Sequence, residues 1–204
     1  MAQESRDRTI RELFELAKES FYEGDYNYTE DYYKQIIEIE PFNLASRRNL
    51  AVIYNEQNKL KAENEILLQT AILSSDIRDY LNLAINFHEI NNNLASNFIL
   101  ENKIGAELED KDFVFQRYYY LIKNHLELKN YDKAEEYLMK ITNLKVNQAE
   151  VYLLSAELNK KKENYRQAYQ NYQESYQEQR SQSYLFKDMA QMLEKAGEEI
   201  RAYN

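Results

Sequence analysis

A spacing of 34 residues limits this chain more than any other feature. The stretches "NYDKAEEYL" (Asn130 to Leu138) and "NYRQAYQNY" (Asn164 to Tyr172) place Tyr131 over Tyr165 and Ala134 over Ala168, both 34 residues apart. "GDYNYTEDYY" (Gly24 to Tyr33) has the same layout around Tyr26, and steps of 34 from Tyr26 reach Leu60 and then Leu94. From Leu94 to Tyr131 the step is 37, so about three residues are inserted there. A pattern that returns at this interval describes one small supersecondary unit used repeatedly. Such a unit cannot bury its apolar face alone and must stack on its neighbours.

A second motif precedes each mark. "NLAVIY" (Asn49 to Tyr54) and "NLAINF" (Asn82 to Phe87) share Asn-Leu-Ala-x-x-aromatic, with a looser version in "ELAKESF" (Glu15 to Phe21). Later copies are "YLIKNH" (Tyr120 to His125) and "LSAELN" (Leu154 to Asn159), and Phe186, Met189, Ala190 and Leu193 give a sixth. At 3.6 residues per turn the Leu, the Ala and the following aromatic share one helical face. Each repeat therefore reads as a helix, a short Asn/Gly/Lys turn, and a second helix opened by Tyr or Leu. Composition agrees: with 3 glycines and 1 proline, tight hairpins that need positive φ can hardly form, whereas Glu, Lys, Leu, Gln and Ala favour helices. The expected class is all-α.

A 34-residue period with these residues resembles the tetratricopeptide repeat over essentially the whole chain. "LFELAKESFYEGDYNYTEDYYKQIIEIEP" (Leu13 to Pro41) is a full copy, with Gly24 in the turn and Pro41 closing the repeat as in that family. Other turns carry Asn58, Lys129 or Glu163 instead, and the spacing slips in the third repeat. The resemblance implies a single domain over 1–204: a right-handed superhelical solenoid of about six antiparallel helix-turn-helix repeats. Their expected bounds are 10–43, 44–76, 77–113, 114–148, 149–182 and a partial 183–204. The last stops at "EEIRAYN", so its first helix either caps the array, with Lys187, Gln191, Glu194 and Lys195 outward, or continues into a longer parent chain.

The residues exclude most chemistry. Without cysteine there is no disulfide, thiolate zinc site or cysteine nucleophile. His88 and His125 stand alone, outside any HExxH pair, and read as packed or surface histidines. No Gly-rich phosphate loop or GxSxG elbow occurs, and the many carboxylates read as solvated helix faces. No catalytic residue, metal or cofactor is expected. A formal charge of -9 and the lack of a Lys/Arg run of five or more oppose nucleic acid. No stretch approaches the ~20 apolar residues of a membrane span, and no signal sequence opens the chain, so a cytoplasmic location is expected unless the sequence is a piece of a larger protein.

The expected function is a non-catalytic scaffold whose concave groove holds a peptide or helix of another protein; no small-molecule substrate is expected. In the family the first helices line that groove, which implies Phe14 and Lys18, then Arg48, Asn49 and Val52, then Arg78, Asn82, Ile85 and Glu89, then Tyr119, Tyr120 and Lys123. Asn49 and Asn82 match the family's asparagine that bonds a peptide backbone, since an amide both donates and accepts. The clamp that chaperone-binding members use for a terminal carboxylate is incomplete, because Phe14 stands for a lysine and Asn82 for another cation. Lys18, Arg48 and Arg78 could form a basic strip favouring acidic segments. Of the 19 tyrosines, Tyr165, Tyr169, Tyr172 and Tyr176 make one packing face, while Tyr118, Tyr119 and Tyr120 cannot all point one way. The alternative is an assembly module that self-associates through its terminal repeats or docks within a larger protein.

Overall fold

Six residues with left-handed backbone mark the repeats. Gly24, Asn58, Asn91, Lys129, Glu163 and Gly197 have φ between 55° and 78° and follow one another at 34, 33, 38, 34 and 34 residues. They belong to a computed structural model that describes residues 2–105, 110–181 and 183–197. Among the described residues there are eleven helices and no strand: α1 Ala2–Tyr22, α2 Tyr26–Ile39, α3 Leu44–Glu56, α4 Leu60–Ser74, α5 Ile77–Glu89, α6 Asn93–Asn102, α7 Lys111–Glu127, α8 Tyr131–Thr142, α9 Gln148–Lys161, α10 Tyr165–Glu178 and α11 Leu185–Lys195.

Each left-handed residue ends a first helix. The next residue's N–H then reaches back five positions: Asp25 to Ser20, Lys59 to Tyr54, Asn92 to Phe87, Asn130 to His125 and Asn164 to Asn159, at 2.7–2.9 Å. This is the six-to-one bond of a Schellman cap, which satisfies carbonyls that a helix end leaves open. At the other end, Asn43, Asp76 and Asp110 cap α3, α5 and α7 with side-chain oxygens that accept from Ser46, Arg78, Asp112 and Phe113 N–H groups.

Four of the five expected marks open a second helix, namely Tyr26, Leu60, Tyr131 and Tyr165. The third is displaced by one residue: α6 opens at Asn93, which is buried, while Leu94 is 71% exposed. The insertion therefore amounts to four residues and lengthens α7, which opens 18 residues before its turn residue Lys129, where α3 and α5 open 14 before Asn58 and Asn91. In the sixth, Leu185, Met189, Met192 and Leu193 form the buried face, and Phe186 lies outside it at 52% exposure. The second helix expected for that repeat falls outside the described residues.

The helices divide between two compact bodies, one built on α1 to α5 and the other on α6 to α11. In the first, Leu13 and Ala17 of α1 meet Tyr33 and Ile36 of α2, Leu50, Ile53 and Tyr54 of α3, and Ile66 of α4. Buried Arg47 fastens the link between α2 and α3, giving two hydrogen bonds to the Pro41 carbonyl at 3.1 and 2.8 Å and one to Gln69 at 2.8 Å. In the second, the tyrosine stripe of α10 packs as expected: Tyr172 is buried, and Tyr165, Tyr169 and Tyr176 lean on Leu185, Met189 and Met192. A fully buried isoleucine such as Ile36 contributes about 2 kcal/mol, whereas an ion pair in open solvent such as Lys133–Glu136 is screened by water. The apolar faces hold the hairpins together.

Candidate functional site: the first-helix face

In the first body, α1, α3 and α5 present equivalent positions in sequence. Lys18, Val52 and Ile85 correspond to one another, as do Asn49 and Asn82, because these separations of 34 and 33 residues match those of the turns. Lys18, Val52, Asn49, Asn82 and Arg78 are exposed, and Ile85 is half-buried. Phe14 and Asn49 converge on Tyr33 of α2. The Phe14 ring meets the Tyr33 ring edge-on at 6.0 Å, and the Asn49 amide donates to its hydroxyl at 3.2 Å. Both residues thus help hold α1, α2 and α3 together, which leaves the Asn49 carbonyl oxygen for other contacts.

The expected basic strip is interrupted. The Arg48 guanidinium is closed on Asp79, with Nε to Oδ1 at 2.9 Å and Nη2 to Oδ2 at 2.7 Å, and Asp76 lies 3.8 Å away. Burial pushes the Asp79 carboxyl up, but the hydrogen bonds from Arg48 and Ser74 and the Arg48 charge outweigh it and hold the group below its ordinary value. Arg48 is therefore a fastening between α3 and α5, and Lys18 and Arg78 are the exposed cations that remain of the expected three.

In the second body the corresponding face is carried by α7, α9 and α11. Lys123 of α7 donates to both oxygens of Glu157 on α9, at 3.1 and 3.4 Å. Lys161 pairs with Glu127 at 3.5 Å, and Lys160 with Asp188 of α11 at 3.0 Å. These pairs rim an open cleft of about 340 Å³ floored by Leu126, Leu153, Tyr172 and Leu185. The three consecutive tyrosines are all half-buried and diverge. Tyr118 packs on Tyr137 of α8 at 5.9 Å, while Tyr119 stacks on Phe115 at 6.2 Å and meets Tyr120 edge-on at 5.2 Å. Burial, helped by the nearby Glu150 and Glu157 charges, pushes the Tyr119 hydroxyl up to about 12.

Sequence reasoning missed Tyr33, Asp79, Glu150 and Glu157. For Glu157 a signal existed: Lys123 and Glu157, like Glu127 and Lys161, are opposite charges one 34-residue period apart, which places them on neighbouring first helices. Asp79 has no such signal, being 31 residues from Arg48. His125 is packed, stacked on Tyr137 at 5.7 Å. Among the described residues no group of three or more acidic or histidine side chains could hold a metal ion, and no helix is long and apolar enough to cross a membrane.

No protein-family model matches the sequence, and no curated protein matches it either. Solved structures do. A tetratricopeptide repeat protein from Parabacteroides merdae superposes with a TM-score of 0.80 at 21% identity, over 96% of this chain and 77% of the other. This is the tetratricopeptide-repeat fold. PilF of Pseudomonas aeruginosa matches with a TM-score of 0.71 at 19% identity, over 98% and 89% of the two chains. YrrB, described as a TPR protein with an unusual peptide-binding site, matches with a TM-score of 0.59 at 15% identity, over 83% and 86%. The tetratricopeptide-repeat frame accounts for the Schellman turns and for the recurrence of Ala17, Ala51, Ala84 and Ala156 as buried small residues in the first helices.

Proposed function

We propose that this tetratricopeptide-repeat chain is a non-catalytic scaffold that holds a peptide or helix of another protein on its first-helix face. The observation that carries the reading is the row formed by Val52, Asn82 and the half-buried Ile85. Val52 and Ile85 share one repeat position, Asn82 shares another with Asn49, and Val52 is 51% exposed. An aliphatic anchor beside an amide suits an extended or helical segment: the apolar contacts supply affinity, and one amide hydrogen bond adds only ~0.5–1.5 kcal/mol and fixes orientation. YrrB, with its peptide-binding site, supports the reading by likeness of fold. Lys18, Arg78 and Asn49 would flank the row in the first body, with Tyr119, Tyr120 and Lys123 acting in the second.

A random-peptide display library panned against the whole chain tests this. Peptides selected by the wild type should bind the Val52→Glu, Asn82→Ala double variant at least ~10-fold more weakly, while its melting temperature stays nearly unchanged, as befits exposed positions. Unaltered binding of every selected peptide would remove this face from consideration. Concentration-dependent light scattering separates the assembly alternative, in which the chain would associate with itself before any peptide is added.

A further inference from the structure

We propose that the corner formed by Tyr119 and Tyr120 on α7 and Glu150 on α9 seats a positively charged side chain, arginine or lysine, of the bound protein segment. The inference rests on the scaffold reading above and names the chemistry of one contact within it.

The two tyrosine rings stand nearly perpendicular, at 84° with centroids 5.2 Å apart, so they form a corner and not a flat stack. Their places in the repeat are those of Arg48 and Asn49 in the second repeat, which makes the aromatic pair particular to the fourth. Glu150 is half-buried on α9, near enough to the Tyr119 hydroxyl for each to act on the other's ionisation. The charges facing Glu150 are Glu157 and Lys123, and Lys123 is already held by both oxygens of Glu157. Two carboxylates thus share one ammonium, and Glu150 is the one without a cation of its own. Burial pushes its carboxyl above the ordinary value, Glu157 adds to this, and Lys123 and the Tyr119 hydroxyl only partly oppose it. A guanidinium or ammonium in the corner would supply the missing counter-charge and lie against ring faces that attract cations. The formal charge of -9 draws basic segments from a distance. The sign is opposite to that expected from Lys18, Arg48 and Arg78, because Arg48 is closed on Asp79.

The test uses the whole chain and peptides selected from a random display library. Selected peptides should be enriched in arginine or lysine. A dye-labelled peptide and its arginine-to-citrulline version, neutral but nearly the same shape, are then compared by fluorescence anisotropy. Citrulline should weaken wild-type binding roughly 10-fold, and Glu150→Gln should bind both versions within about twofold of each other. If Glu150→Gln unfolds, Tyr120→Leu serves, with the discrimination expected to shrink by a similar factor. Full arginine-over-citrulline discrimination by the folded variants would overturn the inference and assign Glu150 to the first turn of α9 alone. Selected peptides lacking basic residues would also overturn it, with the scaffold reading intact. Failure of the wild type to select any peptide would overturn both.

Discussion

Arg48 on α3 grips Asp79 on α5 through both guanidinium edges, at 2.9 and 2.7 Å, although the two residues are 31 apart in the chain. The Asp79 side chain is only 5% exposed, whereas that of Arg48 is 45% exposed. Removing a partner from a buried pair leaves a charge with no compensation, and the half-exposed arginine moderates the loss. Arg48→Glu, which sets a carboxylate against Asp79 and Asp76, should therefore cost about 2 kcal/mol. In urea the midpoint should fall with the slope unchanged. Because the Asp79 pKa is depressed in the fold, this contribution is present above the ordinary carboxylate range and disappears as pH falls through the folded value. An unchanged midpoint would show the pair to be ornamental. A fall would disqualify Arg48 variants as probes of binding.

Glu63 works in the opposite sense. It sits where the other repeats bury Thr29, Ser96, Ala134 and Ala168, and it is itself buried. Burial pushes its carboxyl up, hydrogen bonds from Asn55 and Asn86 partly oppose this, and Glu89 adds to it. The Asn86 carbonyl oxygen is buried with no hydrogen-bond partner among the described residues. A glutamine could accept from Asn55 as Glu63 does, at 3.2 Å, and, with the Asn86 amide turned over to face it, donate to that oxygen as well. Glu63→Gln should stabilise the fold by about 1 kcal/mol at neutral pH. A raised folded pKa gives stability that is complete below the unfolded value and lost as pH rises through the folded value. The gap between variant and wild type should therefore open with rising pH, and denaturation curves at several pH values would reveal a constant gap if the burial argument is mistaken.

These two residues mark the limit of what the chain discloses before folding. The period could be counted because Tyr26, Leu60, Tyr131 and Tyr165 each follow a left-handed turn residue by two positions. That geometry is local, fixed by a helix end and its cap. The third repeat misled because Leu94, an apolar residue at nearly the right place, lies one position past the first residue of α6. On the first-helix face the positions of Val52, Asn82 and Lys123 followed from periodicity, but their partners did not. Whether Arg48 faces a ligand or Asp79 depends on how α3 lies on α5, and no pattern within either helix carries that information.

The left-handed turns give a test of the repeat itself. Asn58, Lys129 and Glu163 adopt φ of 55°, 57° and 63°, where a side chain costs about 1 kcal/mol that glycine does not incur. Lys129→Gly and Glu163→Gly should each raise stability by roughly 0.5–1 kcal/mol, and Gly24→Ala should lower it by a similar amount. A β-carbon at Gly24 would meet nothing within 4 Å, so that loss would be purely conformational. Thermal melts of the three variants decide the matter. Destabilisation by both glycine substitutions would mean that unfolded-chain entropy outweighs turn strain.

His125 gives the second body a pH dependence. Its ring is buried and stacked on Tyr137 at an interplanar angle of 16°. Asn124 donates to the Asn97 carbonyl oxygen at 2.8 Å, which turns the Asn97 amide nitrogen toward His125 Nε2 at 3.4 Å. Nε2 is then the acceptor and Nδ1 carries the proton, with no buried partner for it among the described residues. A second proton would set an N–H against the Asn97 amide. Burial is the largest cause that lowers the imidazole pKa, with Lys133 acting in the same direction and Glu101, 3.8 Å away, only partly offsetting them. Stability from neutral His125 is therefore complete above the ordinary histidine value of about 6.5 and is lost as pH falls through the folded value. In an NMR titration the His125 ring should reach its midpoint below that value. Asn97→Asp keeps the acceptor for Asn124 but offers Nε2 a carboxylate, which should carry the midpoint upward past 6.5 and move the loss of stability from the acid side to the alkaline side. A midpoint unmoved by Asn97→Asp would show that burial alone sets the imidazole and that the amide has no part in it.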